Sequence, residues 1–318
     1  MDWHSAYHWV CQRRQHAPAD ADIWHLRHHW PTLSAALFNT VTSGGYKLSP
    51  MLVYNNLGRS WVQWCAQDAL VLKWVTLQIT DLLPVHTHCT HLKGHGGGKQ
   101  SVAAIWQQLQ SRQYHFIYRT DIRGYYQHIQ KPQVLTLVQQ WVNCPILIDL
   151  ITQYLYYSVE DGGEFYTPEK GICRGCALSP LIGGSLLYHV DYYFASDNRL
   201  FYTRYMDDFL FLTSKRWPLR NAIKRLYGFF DIGGFECHPD KTRIGKIEAG
   251  FDWLGVWFTP TKTTIAPRAL ANHAERCRQV YHRATLIGLS HDAALIRVRE
   301  YKQRWERWAA SMLPTTQG

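Results

Sequence analysis

Three aspartates offer most of the chemistry in this sequence. Tyr205-Met206-Asp207-Asp208-Phe209-Leu210-Phe211 sets two adjacent carboxylates between aromatic and apolar residues. The flanking runs, Phe201 to Tyr205 and Phe209 to Leu212, read as two short buried strands about a tight turn, which puts the acids at a hairpin tip. Like charges side by side at such a tip are costly unless a cation compensates them. A type I turn tolerates Asp, and a lone Asp-Asp needs no other explanation. A second strand changes the balance. Tyr118-Arg119-Thr120-Asp121-Ile122-Arg123-Gly124-Tyr125-Tyr126 ends an apolar strand with a carboxylate and then turns into a helix. Carboxylates from two neighbouring strands can hold two Mg²⁺ roughly 4 Å apart, an arrangement that stabilises the attacking and leaving oxygens of a displacement at phosphorus. Mg²⁺ prefers such hard oxygen ligands and keeps its remaining positions for water and phosphate.

Sulfur and imidazole offer less. The eight cysteines are Cys11, Cys65, Cys89, Cys144, Cys173, Cys176, Cys237 and Cys277. Their scatter over the whole chain fits reduced thiols and a cytoplasmic location. Cys173-Arg174-Gly175-Cys176 has the spacing of a redox pair or half a zinc site, but no second CxxC completes it. The segment His86-Thr87-His88-Cys89-Thr90-His91 with His95 looks more metal-like. Structural zinc usually draws ligands from two separated elements, so a polar loop near nucleic acid is expected there instead. His95-Gly96-Gly97-Gly98-Lys99 reads as a flexible loop, and because Gln100 follows Lys99 it is no Walker phosphate loop.

The elements that must carry these residues follow from periodicity. Residues 1–40 read as helical and irregular pieces, Gly44-Gly45 as a turn, and the stretch to about Trp64 as extended. Leu70, Val71, Trp74, Val75 and Ile79 recur at helical spacing between Asp68 and Leu82. Helix is expected from Ser101 to about Gln110, strand from His115 to Ile122, and helix over 133–157. Gly162-Gly163 makes a hairpin-like turn. Leu181 to Tyr193 reads as helix, Phe251 to Phe258 as a strand pair, and the tail from Ala266 as mostly helical.

Composition narrows the partners. The 318 residues carry 34 Lys and Arg against 24 Asp and Glu, a net charge of +10, and 14% are aromatic. That excludes disorder and collagen-like repeats, and no run of about 18 uncharged apolar residues exists to span a membrane. No secretory signal is visible at Met1-Asp2-Trp3-His4. Excess positive charge with many flat rings suits an anionic partner with bases to stack. From Ala266 on, eight Arg and one Lys face four acids, so half of the excess charge lies in the tail. Ser290 is a candidate N-cap for a helix to about Met312. Leu295, Val298, Tyr301, Trp305, Trp308 and Met312 form its apolar face. Arg297, Arg299, Lys302, Arg304 and Arg307 surround that face, suited to a nucleic-acid backbone.

Over nearly its whole length the chain resembles a reverse transcriptase, with five motifs in the family's order. Asp121-Ile122-Arg123-Gly124-Tyr125-Tyr126 is similar to the first palm motif. Lys170-Gly171-Ile172-Cys173-Arg174-Gly175-Cys176-Ala177-Leu178-Ser179-Pro180-Leu181 resembles GxPQGxxLSPLL. Tyr205-Met206-Asp207-Asp208 is similar to the YxDD box, His238-Pro239-Asp240-Lys241-Thr242 to the following lysine motif, and Gly250-Phe251-Asp252-Trp253-Leu254-Gly255 to the primer grip. The resemblance implies an α+β right-hand polymerase. Residues 1–115 would form the N-terminal region and fingers, and 116–265 a ferredoxin-like palm with finger helices inserted at about 131–170. Residues 266–318 would form a basic helical thumb.

The resemblance also implies roles. Asp121, Asp207 and Asp208 would hold two Mg²⁺, or Mn²⁺ in its place, with the Ile122 carbonyl as a further ligand. Lys241 would protonate the leaving pyrophosphate, and Tyr126 would block a ribonucleotide 2′-hydroxyl unless it is ordinary core. Arg59, nine residues before Asp68, would clamp the triphosphate. The lysine expected six residues before it falls at Val53, and Lys47 is a substitute. Cys173-Arg174-Gly175 stands where the family has Pro-Gln-Gly, so Arg174 and Gly175 would touch the nascent pair. Tyr205, Met206, Leu254, Gly255, Arg297, Arg304 and Arg307 would line primer and template.

The implied reaction is RNA-directed addition of dNTPs to a 3′-hydroxyl. The resemblance extends to bacterial enzymes of the retron and group II intron-like superfamily, including defence-associated members. Expected partners are an RNA template (a cognate non-coding RNA), a DNA primer or product, dNTPs and further protein subunits. No endonuclease, RNase H or zinc-finger extension is recognisable, and the chain is expected to end soon after the thumb. A template-independent or protein-primed nucleotidyl transferase and a non-catalytic RNA-binding subunit are the alternatives.

Overall fold

A computed structural model describes residues 2–56 and 59–314. Along the chain come α1 (Asp2–Arg13), α2 (Asp22–Thr42), β1 (Met51–Asn56), β2 (Arg59–Gln63), α3 (Ala66–Ile79), α4 (Gly97–Gln110), β3 (Phe116–Asp121) and α5 (Tyr125–His128). Then follow α6 (Lys131–Trp141), α7 (Pro145–Leu155), β4 (Val159–Asp161), β5 (Glu164–Tyr166), α8 (Ser179–Leu186), α9 (Tyr188–Ala195), β6 (Leu200–Tyr205) and β7 (Asp208–Thr213). The last are α10 (Arg216–Gly233), β8 (Arg243–Lys246), β9 (Phe251–Trp253), β10 (Val256–Phe258), β11 (Thr263–Ile265), α11 (Pro267–Leu286) and α12 (His291–Met312). The chain divides into two compact units. One comprises Met1–His86, Arg123–Val190 and Ile232–Phe235, and the other Thr87–Ile122, Asp191–Asp231 and Glu236–Gly318.

In the first unit α1 buries Trp3, Ala6 and Val10, spaced three and four apart, against α3. Its four-stranded sheet runs β2-β1-β4-β5, with β1 and β4 parallel and the other pairs antiparallel. Asp68, fully buried on α3, accepts the Tyr46 hydroxyl at 2.6 Å and the Ser49 N–H at 2.9 Å, which ties the loop before β1 to the helix. The single helix expected over 133–157 is two. Pro145 opens α7, because it lacks the N–H needed to continue α6 and is well suited to a first turn. The helix expected from Leu181 to Tyr193 also divides, with Leu187 closing α8.

The second unit is built on an antiparallel sheet in the order β6-β7-β3-β8. Both faces of its central strands are covered. Leu210 and Leu212 pack with Ile117 against Val102, Ile105 and Leu109 of α4, in one cluster with Phe251, Trp253 and Val256. On β7 the alternate residues Phe209 and Phe211 stack with Tyr202, Phe194 and Phe230. The glycine run is not wholly loop, because α4 starts at Gly97. Left-handed Gly96 (φ 87°) precedes it, a conformation that costs glycine nothing.

A second sheet, β11-β10-β9, turns tightly between β9 and β10. Leu254 (φ 48°) and Gly255 (φ 85°) both have positive φ, as a two-residue type I′ turn requires. A Cβ at Gly255 would lie 2.9 Å from Cη2 of Trp308. Gly255→Ala is therefore expected to cost about 1–3 kcal/mol through strain and the displaced indole, read as a lower urea midpoint.

At the tail α11 packs along α12, with Ser290 accepting the Ala293 N–H as N-cap. His273 stacks on Trp305 with ring centroids 3.9 Å apart. The inward stripe of α12 keeps most of the expected face, with Val298, Tyr301 and Trp305 half-buried along it. Ala294, Ala309 and Met312 are buried, while Leu295 is 42% and Trp308 37% exposed.

Candidate functional site

Asp121 ends β3 and Asp208 begins β7, and the antiparallel register places them directly opposite each other. Asp207 sits in the turn between β6 and β7, where its carbonyl accepts the Ile122 N–H at 3.1 Å. The preceding residue, Met206, is left-handed at φ 56°, an unusual state for a side chain of its size. The strand pairing thus brings the three carboxylates of the sequence analysis into one place. Burial, then Asp121, then Asp208 push the Asp207 carboxyl up to about 6. Burial raises Asp208 as well, opposed by Arg119.

Two cations answer this negative charge. Lys241 Nζ lies 2.6 Å from Asp121 Oδ2, delivered by a short turn at Pro239–Lys241. That turn is pinned beside the sheet by the His238 N–H on the Asp121 carbonyl (2.8 Å) and by paired hydroxyls of Thr120 and Thr242 (2.8 Å). Arg119 reaches Asp208 at 3.3 Å and Asp252 at 2.5 Å, with its guanidinium 6.0 Å from the Trp253 ring centre. Neither Arg119 nor Asp252 was expected at the site. The available signal was a charged residue in an otherwise apolar strand, since buried arginines are nearly always paired. Three mutually repelling carboxylates form a hard-oxygen donor set short of positive charge, which fits a divalent cation. Among the described residues no three His, Cys, Asp or Glu side chains form a ready-made cage.

The remaining residues fall into two groups. In the same unit, Tyr205 lies near the His91 ring, and its Cε2 is 3.8 Å from where a Cβ on Gly98 would stand. Leu254 and Gly255 form the turn described above. Arg297, Arg304 and Arg307 are exposed on α12. The histidine segment is engaged with the protein itself. His91 accepts the Met206 N–H, His95 Nδ1 contacts the Cys89 carbonyl at 3.1 Å, and His88 stacks on Tyr202. His86 belongs, with Tyr188, to the other unit, where the two ring centroids are 6.2 Å apart.

That other unit also holds Tyr126, Arg174, Gly175 and Arg59. The Tyr126 ring is 6% exposed, and the Arg174 guanidinium sits 5.7 Å over it. Tyr125 is the core partner, fully buried with its hydroxyl on the Gly183 carbonyl at 2.7 Å. Ile172 and Gly171 donate backbone N–H bonds to the Tyr126 and Ile129 carbonyls, which fixes the start of the loop carrying Arg174. A Cβ on Gly171 would meet the Gln127 carbonyl at 2.9 Å, so only glycine allows that approach. A cavity of about 790 Å³ opens here, lined by Trp9, Arg13, Arg14, Trp61, Arg174 and Gly175 among others. The Cys173 and Cys176 thiols are buried, and burial pushes that of Cys176 up to about 12. Arg59 opens β2, but its side chain lies outside the described residues. Lys47 is exposed and lies 3.5 Å from Asp149.

No curated protein sequence matches the chain. Among solved structures it is similar to apo telomerase from Candida tropicalis truncated from its C-terminal domain, with 12% identity, a TM-score of 0.50, and coverage of 72% of this chain and 59% of that one. It is also similar to telomerase from Candida albicans in complex with a TWJ fragment of telomeric RNA, with 15% identity, a TM-score of 0.49, and coverage of 63% and 38%. The chain thus spans less than two thirds of either telomerase chain, and the first likeness bears on the fold alone, the right-hand polymerase fold. The family model described as reverse transcriptase (RNA-dependent DNA polymerase) matches residues 71–258, from α3 through the carboxylate hairpin to the end of β10. With more than half its length accounted for by that model, the chain belongs to the reverse transcriptase family.

Proposed function

We propose that this protein adds deoxynucleotides to a 3′-hydroxyl under the direction of an RNA template, with two Mg²⁺ at Asp121, Asp207, Asp208 and the Ile122 carbonyl. One observation carries the proposal: Asp121 and Asp208 face each other across the sheet register beside Asp207, whose carboxyl is pushed up to about 6. Bound there, Mg²⁺ would lower the pKa of the attacking hydroxyl and offset charge on the leaving pyrophosphate.

The chain's own side chains divide the remaining work. Arg119 orients Asp208 from behind, because its guanidinium is itself fixed by Asp252. Lys241 is drawn to the carboxylates and there can give its proton to the leaving group once a cation takes its place at Asp121. The stacked Tyr126 and Arg174, beside a cavity lined with arginine and tryptophan, suit the sugar and base of a nucleotide. Residues 266–318 serve as the thumb, where Arg297, Arg304 and Arg307 neutralise backbone phosphates. The template we envisage is a structured cognate RNA, and the biological setting a bacterial defence system.

The deciding experiment follows radiolabelled dNTP incorporation by the purified chain on a primed RNA, with Mg²⁺ and with chelator. Product that needs both RNA and Mg²⁺ is expected. Equal product without RNA would replace this proposal with a template-independent transferase. Tyr126→Ala should admit ribonucleotides, raising the ratio of rNTP to dNTP incorporation about tenfold or more, because removing a ring that excludes a hydroxyl removes a discrimination worth about 1–3 kcal/mol. Unchanged sugar selectivity would take the gate away from Tyr126.

A further inference from the structure

The turn that carries Asp207 is held by side chains outside the five reverse transcriptase motifs. Met206, left-handed and next to Asp207, has both sides of its backbone engaged. Its N–H donates to His91 Nδ1 at 3.1 Å, and its carbonyl accepts from an Arg204 guanidinium nitrogen at 2.7 Å. Each partner is itself locked. Arg204 is fully buried, with Nε 2.7 Å from Asp191 Oδ1 and a second nitrogen on Asp191 Oδ2, and Tyr202 donates to the same carboxylate at 2.6 Å.

His91 is set in place by strand addition. The Arg204 N–H donates to the His88 carbonyl, and the Thr90 N–H to the Arg204 carbonyl, both at 2.9 Å, so residues 88–90 run as a short parallel strand on the free edge of β6. The loop then folds back, with the Gly97 N–H on the Thr90 carbonyl at 2.9 Å. To accept from Met206, His91 must carry its proton on Nε2, a tautomer fixed by the bond itself.

We infer that His91 and the Arg204–Asp191 pair are positioning residues of the catalytic hairpin, holding the Met206 peptide left-handed so that Asp207 faces Asp121 and Asp208. This rests on the polymerase proposal for the same carboxylates. It gives the segment His88 to Gly97 a role: it is a brace under the turn. A misplacement of the order of 1 Å at a reacting group costs up to about a hundredfold in rate, so a modest brace has a large consequence.

The test compares His91→Leu, His91→Asn and His91→Gln in the full chain, by steady-state dNTP incorporation and by amide hydrogen exchange at Met206. The Asn amide oxygen stands where Nδ1 stood, while that of Gln lies farther out. Leu and Gln should lower kcat about ten- to a hundredfold with the dNTP KM within about twofold, and speed exchange at Met206. Asn should restore both to within about threefold. If Leu does not fold, Asn against Gln makes the same comparison between two folded amides. Wild-type kcat in Leu or Gln, or an Asn variant as slow as Leu, would overturn the inference. A wild-type protein with no Mg²⁺-dependent incorporation would overturn the polymerase proposal instead, and Met206 exchange would still report whether His91 holds the turn.

Discussion

Asp207→Asn is expected to lower incorporation by about 10⁴-fold, the scale seen when one member of a catalytic set is removed, and at the same time to stabilise the metal-free protein at neutral pH. The second effect follows from the raised carboxyl of Asp207, pushed to about 6 by burial and by Asp121. The folded chain binds this proton more tightly than the unfolded chain, whose carboxyl titrates near 3.9. The stabilising contribution is therefore complete below about pH 4 and is lost as pH rises through about 6, so at pH 7 the ionised group is a net cost. Two pK units correspond to at most about 3 kcal/mol, and partial contact with solvent reduces this to about 1–2 kcal/mol.

Urea midpoints in chelator should accordingly show the Asn variant ahead at pH 7 and level with wild type near pH 4. Adding Mg²⁺ should reverse the order, since a ligand of the folded state stabilises only the protein that binds it. A less stable Asn variant at pH 7 in chelator would contradict the environment described for Asp207. Undiminished incorporation would move the reaction away from this triad.

Arg204→Met should destabilise the protein by about 3–5 kcal/mol, the usual penalty for stranding one partner of a buried ion pair. Both side chains of the Arg204–Asp191 pair are wholly shielded from solvent. Removing both charges removes the stranded carboxylate, so the double variant Arg204→Met/Asp191→Leu should return to within about 1–2 kcal/mol of wild type. Catalysis should not return with it, because the Met206 carbonyl still lacks its donor. A double-mutant cycle on urea midpoints, read beside kcat, separates the two roles. Recovery of kcat along with stability would mean that the pair serves the fold alone.

The residues easiest to read in advance are those whose position is set locally. Asp121, Asp207 and Asp208 sit at strand ends marked by apolar runs, and the Leu254-Gly255 turn and the Ser290 cap each follow from one or two residues. Breaks within helices are less legible, as at Pro145, where continuous apolar periodicity masks a proline that is as content at a first turn as at a kink. The partners of the carboxylates were hidden for another reason. Arg119 meets Asp252 and His91 meets Met206 only after segments far apart in the chain have come together, and Arg204 meets Asp191 only once β6 packs on the preceding helix α9. Their lone signal is polarity inside an apolar run, which says that a partner exists without naming it. On α12 the exposed Leu295 stands next to the buried Ala294, so apolar character alone does not say which of two neighbours turns inward.

The direct pairing of Asp121 with Asp208 also makes the sheet a ruler for the site. Side chains alternate faces along a strand, so one residue inserted into or deleted from β3 or β7 would send a carboxylate to the opposite face while leaving every motif readable. Apolar exchanges along these strands leave the ruler intact, whereas a change of length does not. Tolerated insertions are thus expected at the exposed Gly162-Gly163 turn between β4 and β5, where no distance between acids depends on the count.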